Sequence, residues 1–315
     1  MADVRKEATR DSYGKALIEL AETNPDFVVL DADLAAATKT GMFKKACPER
    51  FYNCGIAEQN MMSVAAGIAA TGKMVFASSF AMFAAGRAFE QVRNSIGYPH
   101  LNVKIGATHA GISVGEDGAT HQCCEDIALM RSIPGMTVIN PADAVEARAA
   151  VLAAAKINGP VYMRFGRLAV PVVFDDDYEF VIGKGNELKS GADVTIIATG
   201  LMVNEALKAY DILAQEGISA RIVNMASIKP IDEDIIVKAA KETGAIVTAE
   251  EHSVIGGLGS AVCDVVCAKY PVPVVKVGVE DTFGKSGPAL ELLEKFGLSA
   301  ENIVAKAKEV IALKK

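Results

Sequence analysis

The stretch FYNCGIAEQNMMSVAAGIAATGKMVFA, residues 51–77, predicts a strand, a helix and a second strand in succession. Phe51–Cys54 and Met74–Ala77 are short apolar runs typical of buried strands. Between them, Glu58–Thr71 carries apolar residues at helical spacing. Two strands joined by one helix pair in parallel, because the crossover returns the chain to the same end of the sheet. This stretch therefore predicts an α/β fold.

The same alternation extends in both directions from this unit. Further strands are predicted at Phe27–Leu30, Asn102–Ala107, Thr137–Asn140, Val161–Arg164, Val194–Thr199, Ala220–Asn224, Ala245–Ala249 and Val274–Val277. Further helices are predicted at Ala81–Ile96, Ala142–Lys156, Asn204–Glu216, Asp232–Thr243 and Ser260–Tyr270. Strands that are apolar on both faces and separated by helices are typical of parallel sheets covered on both sides.

The region Pro171–Gly191 interrupts this rhythm. It holds the acidic run Asp175–Asp177 and the glycine pair Gly183 and Gly185, and it shows no clear helical pattern. Such composition is typical of a linker between domains. We therefore predict two domains, residues 1–175 and residues 190–315, each a mostly parallel sheet covered by helices.

Composition excludes several classes of partner. The chain has 315 residues, 51% of them hydrophobic and 23% charged, which is usual for a globular protein. With 32 Lys and Arg against 39 Asp and Glu, the net charge is −7, and no basic run is present, so nucleic acid and anionic membranes are poor partners. No apolar segment has the length of a membrane span, and the polar N-terminus lacks a secretory signal.

The six cysteines favour a reducing compartment. They show neither C-x-x-C spacing nor a histidine at zinc-site spacing, so we predict no metal ligands and no disulfide framework. Free thiols of this kind are typical of cytoplasmic proteins, and we predict a cytoplasmic location.

Polar side chains follow four of the predicted strands. Ligands of open parallel sheets bind beyond the carboxyl ends of the strands, so these positions are the candidates for a site. The segments that follow the four strands are Asp31–Leu34, Gly55–Asn60, Ser78–Phe83 and Thr108–Gln122. Together they bring carboxylates, aromatic rings and histidines to one predicted edge.

Glu58 is the first residue of a predicted helix whose other faces are apolar. One interpretation is a first-turn glutamate that interacts favourably with the helix dipole. The other is a carboxyl group at an apolar interface that shares a proton with a heterocycle nitrogen. Position alone leaves both interpretations open.

The segment Thr108–Gln122 places His109 and His121 twelve residues apart, among three glycines and two acidic residues. A loop of this length within a compact domain is unusual unless it has a function. A surface excursion and a metal site are the alternatives, although the segment offers no further His or Cys to complete a ligand set.

Four motifs taken together resemble transketolase. They are GIAEQN at 55–60, SFAMF at 79–83, GEDGATHQ at 115–122 and DTFG at 281–284, and they follow one another in the family's order over nearly the whole chain. They correspond to the pyrimidine-binding and C-terminal domains of that family. The family's diphosphate-binding part, with its Gly-Asp-Gly and downstream Asn, has no counterpart in the sequence. The chain therefore resembles the C-terminal subunit of a split transketolase.

This resemblance implies thiamine diphosphate as cofactor, with Mg²⁺ held mainly by a partner chain. The implied cofactor-binding residues are Glu58, Phe80, Phe83 and Asp33. Glu58 matches the glutamate that hydrogen-bonds the aminopyrimidine ring, and the two phenylalanines match aromatics that pack on it. The family's third aromatic would fall at Gly86, where this chain departs from the pattern, and Phe89 is a candidate replacement.

The resemblance also implies residues that bind sugar phosphates, namely His109, Asp117, His121, Arg164, Arg10 and Thr38. Asp117 and His121 match positions that meet substrate hydroxyls near the reacting carbon, and His121 is implied in catalysis together with Glu58. His109 and Arg164 match positions that face the phosphate, where a guanidinium suits the oxygens. Arg10 and Thr38 match weaker phosphate contacts.

The implied reaction moves a two-carbon ketol unit from a ketose phosphate to an aldose phosphate, as in the pentose phosphate pathway. The implied assembly is a heterotetramer in which this chain self-associates and binds an N-terminal transketolase subunit. Alternatives are the β subunit of a 2-oxoacid dehydrogenase, a deoxyxylulose-phosphate synthase-like enzyme and an inactive scaffold subunit. The histidine-containing loop favours sugar-phosphate chemistry over the first of these.

Overall fold

Three β-sheets carry the fold in the computed structural model, which describes residues 5–314. The strands are β1 (Lys6–Ala8), β2 (Phe27–Asp31), β3 (Phe51–Asn53), β4 (Met74–Phe80), β5 (Val103–Thr108), β6 (Thr137–Ile139), β7 (Val161–Arg164), β8 (Ala169–Pro171), β9 (Asn186–Lys189), β10 (Val194–Ala198), β11 (Ala220–Asn224), β12 (Ser227–Lys229), β13 (Ile246–Ser253) and β14 (Val274–Val279).

Helices cover both faces of the two larger sheets. The α-helices are α1 (Thr9–Thr23), α2 (Ala35–Thr38), α3 (Thr40–Ala46), α4 (Glu58–Ala69), α5 (Phe89–Gln91), α6 (Asp126–Arg131), α7 (Ala144–Ala155), α8 (Met202–Gln215), α9 (Glu233–Thr243), α10 (Leu258–Lys269), α11 (Ala289–Lys295) and α12 (Ala300–Ala312). Short 3₁₀ turns lie at Pro48–Arg50 and Ile112–Val114, and π-helical turns at Met82–Arg87 and Val92–Gly97.

The first large sheet has seven strands in the order β12-β6-β7-β5-β4-β2-β3. Its strands from β2 to β7 pair in parallel, and β2, β4, β5 and β7 are buried along their whole length. These strands are apolar on both faces, so helices must cover both sides. Two separate hydrophobic clusters, one on each face, provide that cover.

The second large sheet has five strands in the order β14-β13-β10-β11-β9. Strands β10, β11, β13 and β14 pair in parallel, and β9 pairs antiparallel with β11. The predicted α/β class, with two mostly parallel sheets covered by helices, is confirmed. The segment predicted as a linker, Pro171–Gly191, contains a regular element, because β9 lies within it.

One strand from the second half of the chain joins the first sheet. β12 pairs antiparallel with β6, and the Asn140 N–H that follows β6 donates to the Ala226 carbonyl at 2.8 Å. The three residues of β12, Ser-Ile-Lys, include one apolar side chain, which is too little pattern to be recognised in the sequence. The two halves of the chain therefore share a sheet edge.

The helix predicted over Ala81–Ile96 is divided into two π-helical turns with α5 between them. A π turn takes an extra residue into the helix and changes the direction of the side chains that follow it. The first of these turns, Met82–Arg87, lies directly after β4 at the edge where the candidate residues gather.

Candidate functional site

The register of the first sheet brings four candidate segments to one level. Asp31 at the end of β2 pairs with Asn53 on one side and with Ser78 on the other. Two residues further along β4, Phe80 pairs with Thr108 of β5. The residues that leave these strand ends therefore meet at a single edge, as expected for an open parallel sheet.

Glu58 is the first residue of α4, and its side chain is 2% exposed. Its Oε1 accepts a hydrogen bond from the Ser79 hydroxyl at 3.3 Å, and its Oε2 accepts one from Arg87 Nη1 at 2.8 Å. The positive end of the α4 dipole also favours a carboxylate here. The arrangement is a buried acid whose one strong partner, Arg87, is 47% exposed.

A cleft of about 320 Å³ opens beside this carboxyl group. Its lining residues are Ala32, Asp33, Leu34, Ile56, Glu58, Phe83, Arg87, Thr120 and His121. The Arg87 guanidinium lies 4.3 Å from the centre of the Phe83 ring, and Phe80 and Phe83 stack at 5.9 Å. The cleft therefore presents an aromatic face next to a buried carboxyl group, which is what a flat heteroaromatic ring with a basic nitrogen requires.

His109 lies behind Phe80, with the two rings stacked at 3.8 Å. Burial, followed by the charges of Arg10 and Arg167, lowers the pKa of His109 to about 3, so the ring is uncharged at neutral pH. Arg10 Nη1 lies 2.9 Å from His109 Nε2 and can only donate, so Nε2 accepts and Nδ1 carries the proton. That proton is then donated to the Thr108 hydroxyl at 2.9 Å.

The backbone of His109 has φ 57°, in the left-handed region that residues with a side chain rarely adopt. Asp33, on the opposite side of the cleft, has φ 66°. Asn53 supports Asp33 by accepting from its backbone N–H at 3.0 Å and donating to its carboxylate at 2.8 Å. Strained backbone of this kind concentrates at functional sites.

His121 forms the far wall of the cleft. Its ring meets the edges of Phe83 at 5.3 Å and Phe80 at 6.3 Å, and its Nδ1 lies 2.9 Å from the Thr120 hydroxyl. The loop between the two histidines folds back on itself, because the Gly111 N–H donates to the Cys123 carbonyl at 2.9 Å. Asp117 is exposed in the turn of that loop.

Three cations surround His109, namely Arg10, Lys39 and Arg167, and each lowers the pKa of its imidazole. Arg10 is half-buried and also donates to the Ala37 carbonyl at 3.2 Å. Arg167 is 39% exposed and donates to the Val114 carbonyl at 2.6 Å. Lys39 and Arg167 pair with the partly or largely exposed Asp11 and Glu116 at 2.9 and 3.0 Å, and Arg10 forms no ion pair with any acidic side chain of residues 5–314. The positive charge of Arg10 therefore favours an anionic ligand beside His109.

Comparison with family models covers both halves of the chain. Residues 5–172 match the pyrimidine-binding domain of transketolase, and residues 183–303 match the transketolase C-terminal domain. The chain belongs to the transketolase family.

Similar proteins include several transketolase sections and subunits. The chain is 53% identical, over 95% of its length and 95% of the relative's, to a protein of Methanocaldococcus jannaschii described as a transketolase C-terminal section. It is 46% identical to 6-deoxy-6-sulfo-D-fructose transketolase subunit SqwH of Clostridium sp. (strain MSTE9), over 96% and 94%. It is 42% identical to a subunit of the apulose-4-phosphate transketolase of Phocaeicola vulgatus, over 96% and 97%.

Solved structures show the same relationship. A split-gene transketolase described as an inactive β4 tetramer superposes with a TM-score of 0.90 at 58% identity, covering 98% of this chain and 99% of that one. Transketolase from Leishmania mexicana superposes with a TM-score of 0.84 at 26% identity. The match covers 99% of this chain and 46% of the Leishmania protein, so the chain corresponds to about half of that transketolase.

The structure brings together Glu58, Phe80, Phe83, Asp33, His109, His121 and Arg10 at the transketolase-like cleft and its rim. Gly86 lies in the first π turn and Phe89 packs against the core of the first sheet. Phe89 is therefore not placed as a replacement aromatic at the cleft.

Arg164 does not line this cleft. It is 3% exposed, and its Nε donates to the two carboxylate oxygens of Asp126 at 3.2 and 2.9 Å. Its Nη2 donates to the Glu251 carbonyl at 2.8 Å. The guanidinium therefore forms a buried ion pair within the first half of the chain, and its hydrogen bond to the Glu251 carbonyl joins it to the second half.

Thr38 is also turned away from the cleft. Its side chain is fully buried, and its hydroxyl donates to Asp31 Oδ2 at 2.7 Å. Asp31 also accepts from the Leu34 N–H at 2.6 Å and the Thr40 hydroxyl at 2.9 Å, so this network fixes the turn after β2. The Thr38 hydroxyl supports the backbone near Arg10 rather than facing a ligand.

Sequence reasoning missed three residues of the site: Arg87, Arg167 and Ile56. Arg167 follows β7 by three residues, and position beyond a strand end was the available signal. Ile56 is 79% exposed at the mouth of the cleft. A large apolar side chain left in the open beside polar groups indicates that something covers this part of the cleft.

Two features are absent from the part of the chain that the structure describes. Within residues 5–314, no group of three His, Cys, Asp or Glu side chains is arranged to hold a metal ion. No helix in the same range is long and apolar enough to cross a membrane.

Proposed function

We propose that this chain is the pyrimidine-binding subunit of a two-chain transketolase. Together with a separate diphosphate-binding chain, it would transfer a two-carbon ketol unit between ketose and aldose phosphates. The observation that carries this proposal is the buried Glu58 carboxyl group, which opens onto a cleft with Phe83 on one wall and His121 on the other.

The residues present fit the aminopyrimidine end of thiamine diphosphate. Glu58 Oε2 would exchange its bond from Arg87 for one with a ring nitrogen, and the rings of Phe80 and Phe83 would pack on the pyrimidine. Thiamine diphosphate supplies the carbon nucleophile of the reaction when it is bound. Glu58 would hold a proton at the ring nitrogen, and Asp33 would lie near the cofactor from the β2 side.

The substrate side of the cleft fits a hydroxylated, phosphorylated sugar. His121 would meet hydroxyl groups near the reacting carbon, and Asp117 would approach them from the loop. His109, fixed as the Nδ1–H tautomer, would serve as a neutral hydrogen-bonding group. We assign the phosphate to Arg10 and Arg167 in place of Arg164, because the first two leave charge at the rim of the cleft.

The diphosphate and Mg²⁺ would be held by the partner chain. The exposed Ile56 beside the cleft supports a covering partner, and an apolar residue in this position is costly to leave in water. The relatives that this chain matches over their whole length are described as sections or subunits. We propose two copies of each chain in the active assembly. The similar split-gene structure is described as an inactive β4 tetramer, which supports the need for a second kind of chain.

We also propose a cytoplasmic location, because all six cysteines are free in the structure and free thiols persist in reducing compartments. An assay with a panel of donor sugars identifies the substrate. Similar subunits are named for 6-deoxy-6-sulfo-D-fructose and for apulose-4-phosphate, so both compounds belong in the panel.

The decisive experiment combines this chain with a diphosphate-binding transketolase subunit. Thiamine diphosphate binding is measured by calorimetry, and turnover is measured with a panel of ketose phosphates. We expect Glu58→Gln to lower kcat by about 10²–10⁴-fold, the usual contribution of a proton-transferring group. Glu49→Gln makes the same change at an exposed position and should keep wild-type turnover.

Wild-type turnover by the complex with Glu58→Gln would contradict the proposed role of Glu58 in proton transfer. Tight binding of thiamine diphosphate to this chain alone would count against the two-chain site.

A further inference from the structure

The loop that carries the two histidines is fastened to the second half of the chain along its first part. Ile112 is fully buried in the hydrophobic core of the second sheet. The next residue, Ser113, donates its backbone N–H to Glu251 Oε1 at 2.5 Å. Gly111 permits this approach, because a Cβ there would overlap the Glu251 carboxylate. The start of the loop is therefore part of the packing of the second sheet.

The end of the loop is held by the side chain of Gln122, which is buried. Its amide Nε2 donates to the Lys285 carbonyl at 2.9 Å, the Ile112 carbonyl at 3.1 Å and the Gly115 carbonyl at 3.3 Å. One amide thus ties two points of the loop to the segment that connects β14 to α11. The NH₂ group has two hydrogens, so these three contacts share them, and the Ile112 and Gly115 carbonyls also accept from the Gly115 and Gly118 N–H groups.

Close approach across this contact depends on glycine. A Cβ on Gly284 would overlap the Gln122 amide oxygen, and a Cβ on Gly118 would overlap the Ser286 hydroxyl. Gly284 has no left-handed backbone, so its lack of a side chain serves the contact with Gln122 rather than a turn. The glycine of the DTFG motif therefore has a packing role toward the histidine loop.

We propose that Gln122, held against Gly284, is a positioning residue that sets the place of His121 in the cleft. His121 is joined to Gln122 by a peptide bond, so displacement of the amide displaces the imidazole. The second half of the chain would thus define the substrate side of a site whose cofactor side, Glu58 and Phe83, belongs to the first half. The expected effect on turnover rests on the proposed function, whereas the expected displacement of His121 does not.

The geometric consequence is tested on the chain alone by NMR of the histidine Cε1–H groups. The chain has four histidines, and single substitutions assign their signals. We expect Gly284→Ala to shift or broaden the His121 signal and to leave that of His100 unchanged, because His100 lies against Gly135 and Gly159. Gly67→Ala is the matched control, since a Cβ there meets nothing within 4 Å. An unchanged His121 signal in Gly284→Ala overturns the proposal.

The kinetic consequence is tested in the reconstituted two-chain complex. We expect Gly284→Ala to lower kcat/KM for sugar phosphates by about 10–100-fold, since a displacement of about 1 Å can cost that much. The affinity for thiamine diphosphate should stay at the wild-type value, because Glu58 and Phe83 are untouched. A fall in cofactor affinity equal to the fall in kcat/KM would indicate general damage and overturn the positioning role.

A double variant separates positioning from loss of folding. Gln122→Asn shortens the side chain and withdraws the amide from the space that the methyl group of the Gly284→Ala variant would take. We expect the Gly284→Ala, Gln122→Asn pair to lose no more kcat/KM than Gln122→Asn alone, and losses that add in full would overturn the contact. If the wild-type complex turns over no sugar, the proposed function fails while the NMR experiment still decides the geometry.

Discussion

The carboxyl ends of the strands in the two large sheets carry similar residues, but those of the first sheet face an open cleft and those of the second are buried. At the first sheet, Glu58 and His121 face an open cleft. At the second sheet, the consecutive residues Glu250, Glu251 and His252 end β13 and are buried. Acidic groups and a histidine beyond a strand end are typical of a site in either case, and only one of the two edges stays open.

The polar groups of the second edge are used in structural contacts. Glu250 accepts from the backbone N–H groups of Leu258 and Gly259 at 2.6 and 2.8 Å, which satisfies the first turn of α10. Glu251 accepts from Ser113, and its carbonyl accepts from Arg164. The comparison shows that a polar strand end marks a functional site when the neighbouring domain leaves it uncovered.

The largest expected effect concerns the arginine between the two edges. Arg164→Met should lower the free energy of unfolding by about 3–5 kcal/mol, because it leaves the buried Asp126 carboxylate without its partner. Chemical denaturation measures this. Arg167→Met removes an exposed guanidinium and should change stability by about 0.5 kcal/mol or less. Equal destabilisation by both variants would contradict the division between a structural and a ligand-facing arginine.

The second effect concerns phosphate binding at the open edge. Arg167→Ala should raise KM for phosphorylated sugars by about 10–100-fold, since a hydrogen bond to a charged group contributes about 1.5–3 kcal/mol. Unphosphorylated sugars should be little affected. Steady-state kinetics of the two-chain complex measure both, with Arg93→Ala as a control at an exposed position outside the cleft. Equal losses on both kinds of sugar would remove the phosphate role.

The third effect is a pH dependence of opposite sign at His109 and at Glu250. Burial lowers the pKa of His109 to about 3, so the unfolded chain binds more protons below pH 6.5 and stability rises with pH up to that point. Burial raises the pKa of Glu250 to about 7, so the folded chain binds more protons from about pH 4.5 upward and stability falls as pH rises to 7. Each contributes at most about 1.4 kcal/mol per pH unit.

Single substitutions separate the contributions of His109 and Glu250 to the pH dependence of the free energy of unfolding. Between pH 5 and 6, His109→Gln should make the slope of the free energy of unfolding against pH more negative than in the wild type. Glu250→Gln should make that slope more positive than in the wild type. Denaturation at several pH values within this window measures both, and parallel curves for the three proteins would refute the opposition.

The smallest effect concerns the ion pair between Arg87 and Glu58. Arg87→Met should tighten thiamine diphosphate binding to the two-chain complex by about fivefold, because a partly exposed ion pair of about 1 kcal/mol need not be broken first. Calorimetry measures the affinity, and Arg87→Lys keeps the charge as a control. Weaker binding by Arg87→Met would show that Arg87 instead helps to hold the cofactor.

The sequence predicts the central strands well, because fully buried parallel strands must be apolar on both faces. The predicted strands Val161–Arg164 and Ala220–Asn224 have the bounds that the structure has. The strands that escape recognition are short and lack a run of three apolar residues; they are Lys6–Ala8, Ala169–Pro171, Asn186–Lys189 and Ser227–Lys229. The sequence predicts a continuous helix over Ala81–Ile96 because residue types do not report the extra residue of a π turn.

The site is predictable to the level of residue types but not of individual side chains. Arg164 and Arg167 are the same residue three positions apart, and their environments differ because β7 ends between them. Which of the two is buried depends on Asp126 and Glu251, which are distant in sequence. Glu58 is recognisable because the helix start, the apolar face and the strand before it are all local.

The pairing of β12 with the first sheet has a consequence for how the protein can be produced. During synthesis, β6 has no neighbour on its outer side until residue 229 has left the ribosome. A gene shortened at the apparent boundary near residue 175 would produce a product with a bare, apolar sheet margin, a known starting point for aggregation. Expression of the isolated first half would therefore yield insoluble material unless a Ser227–Lys229 segment is supplied.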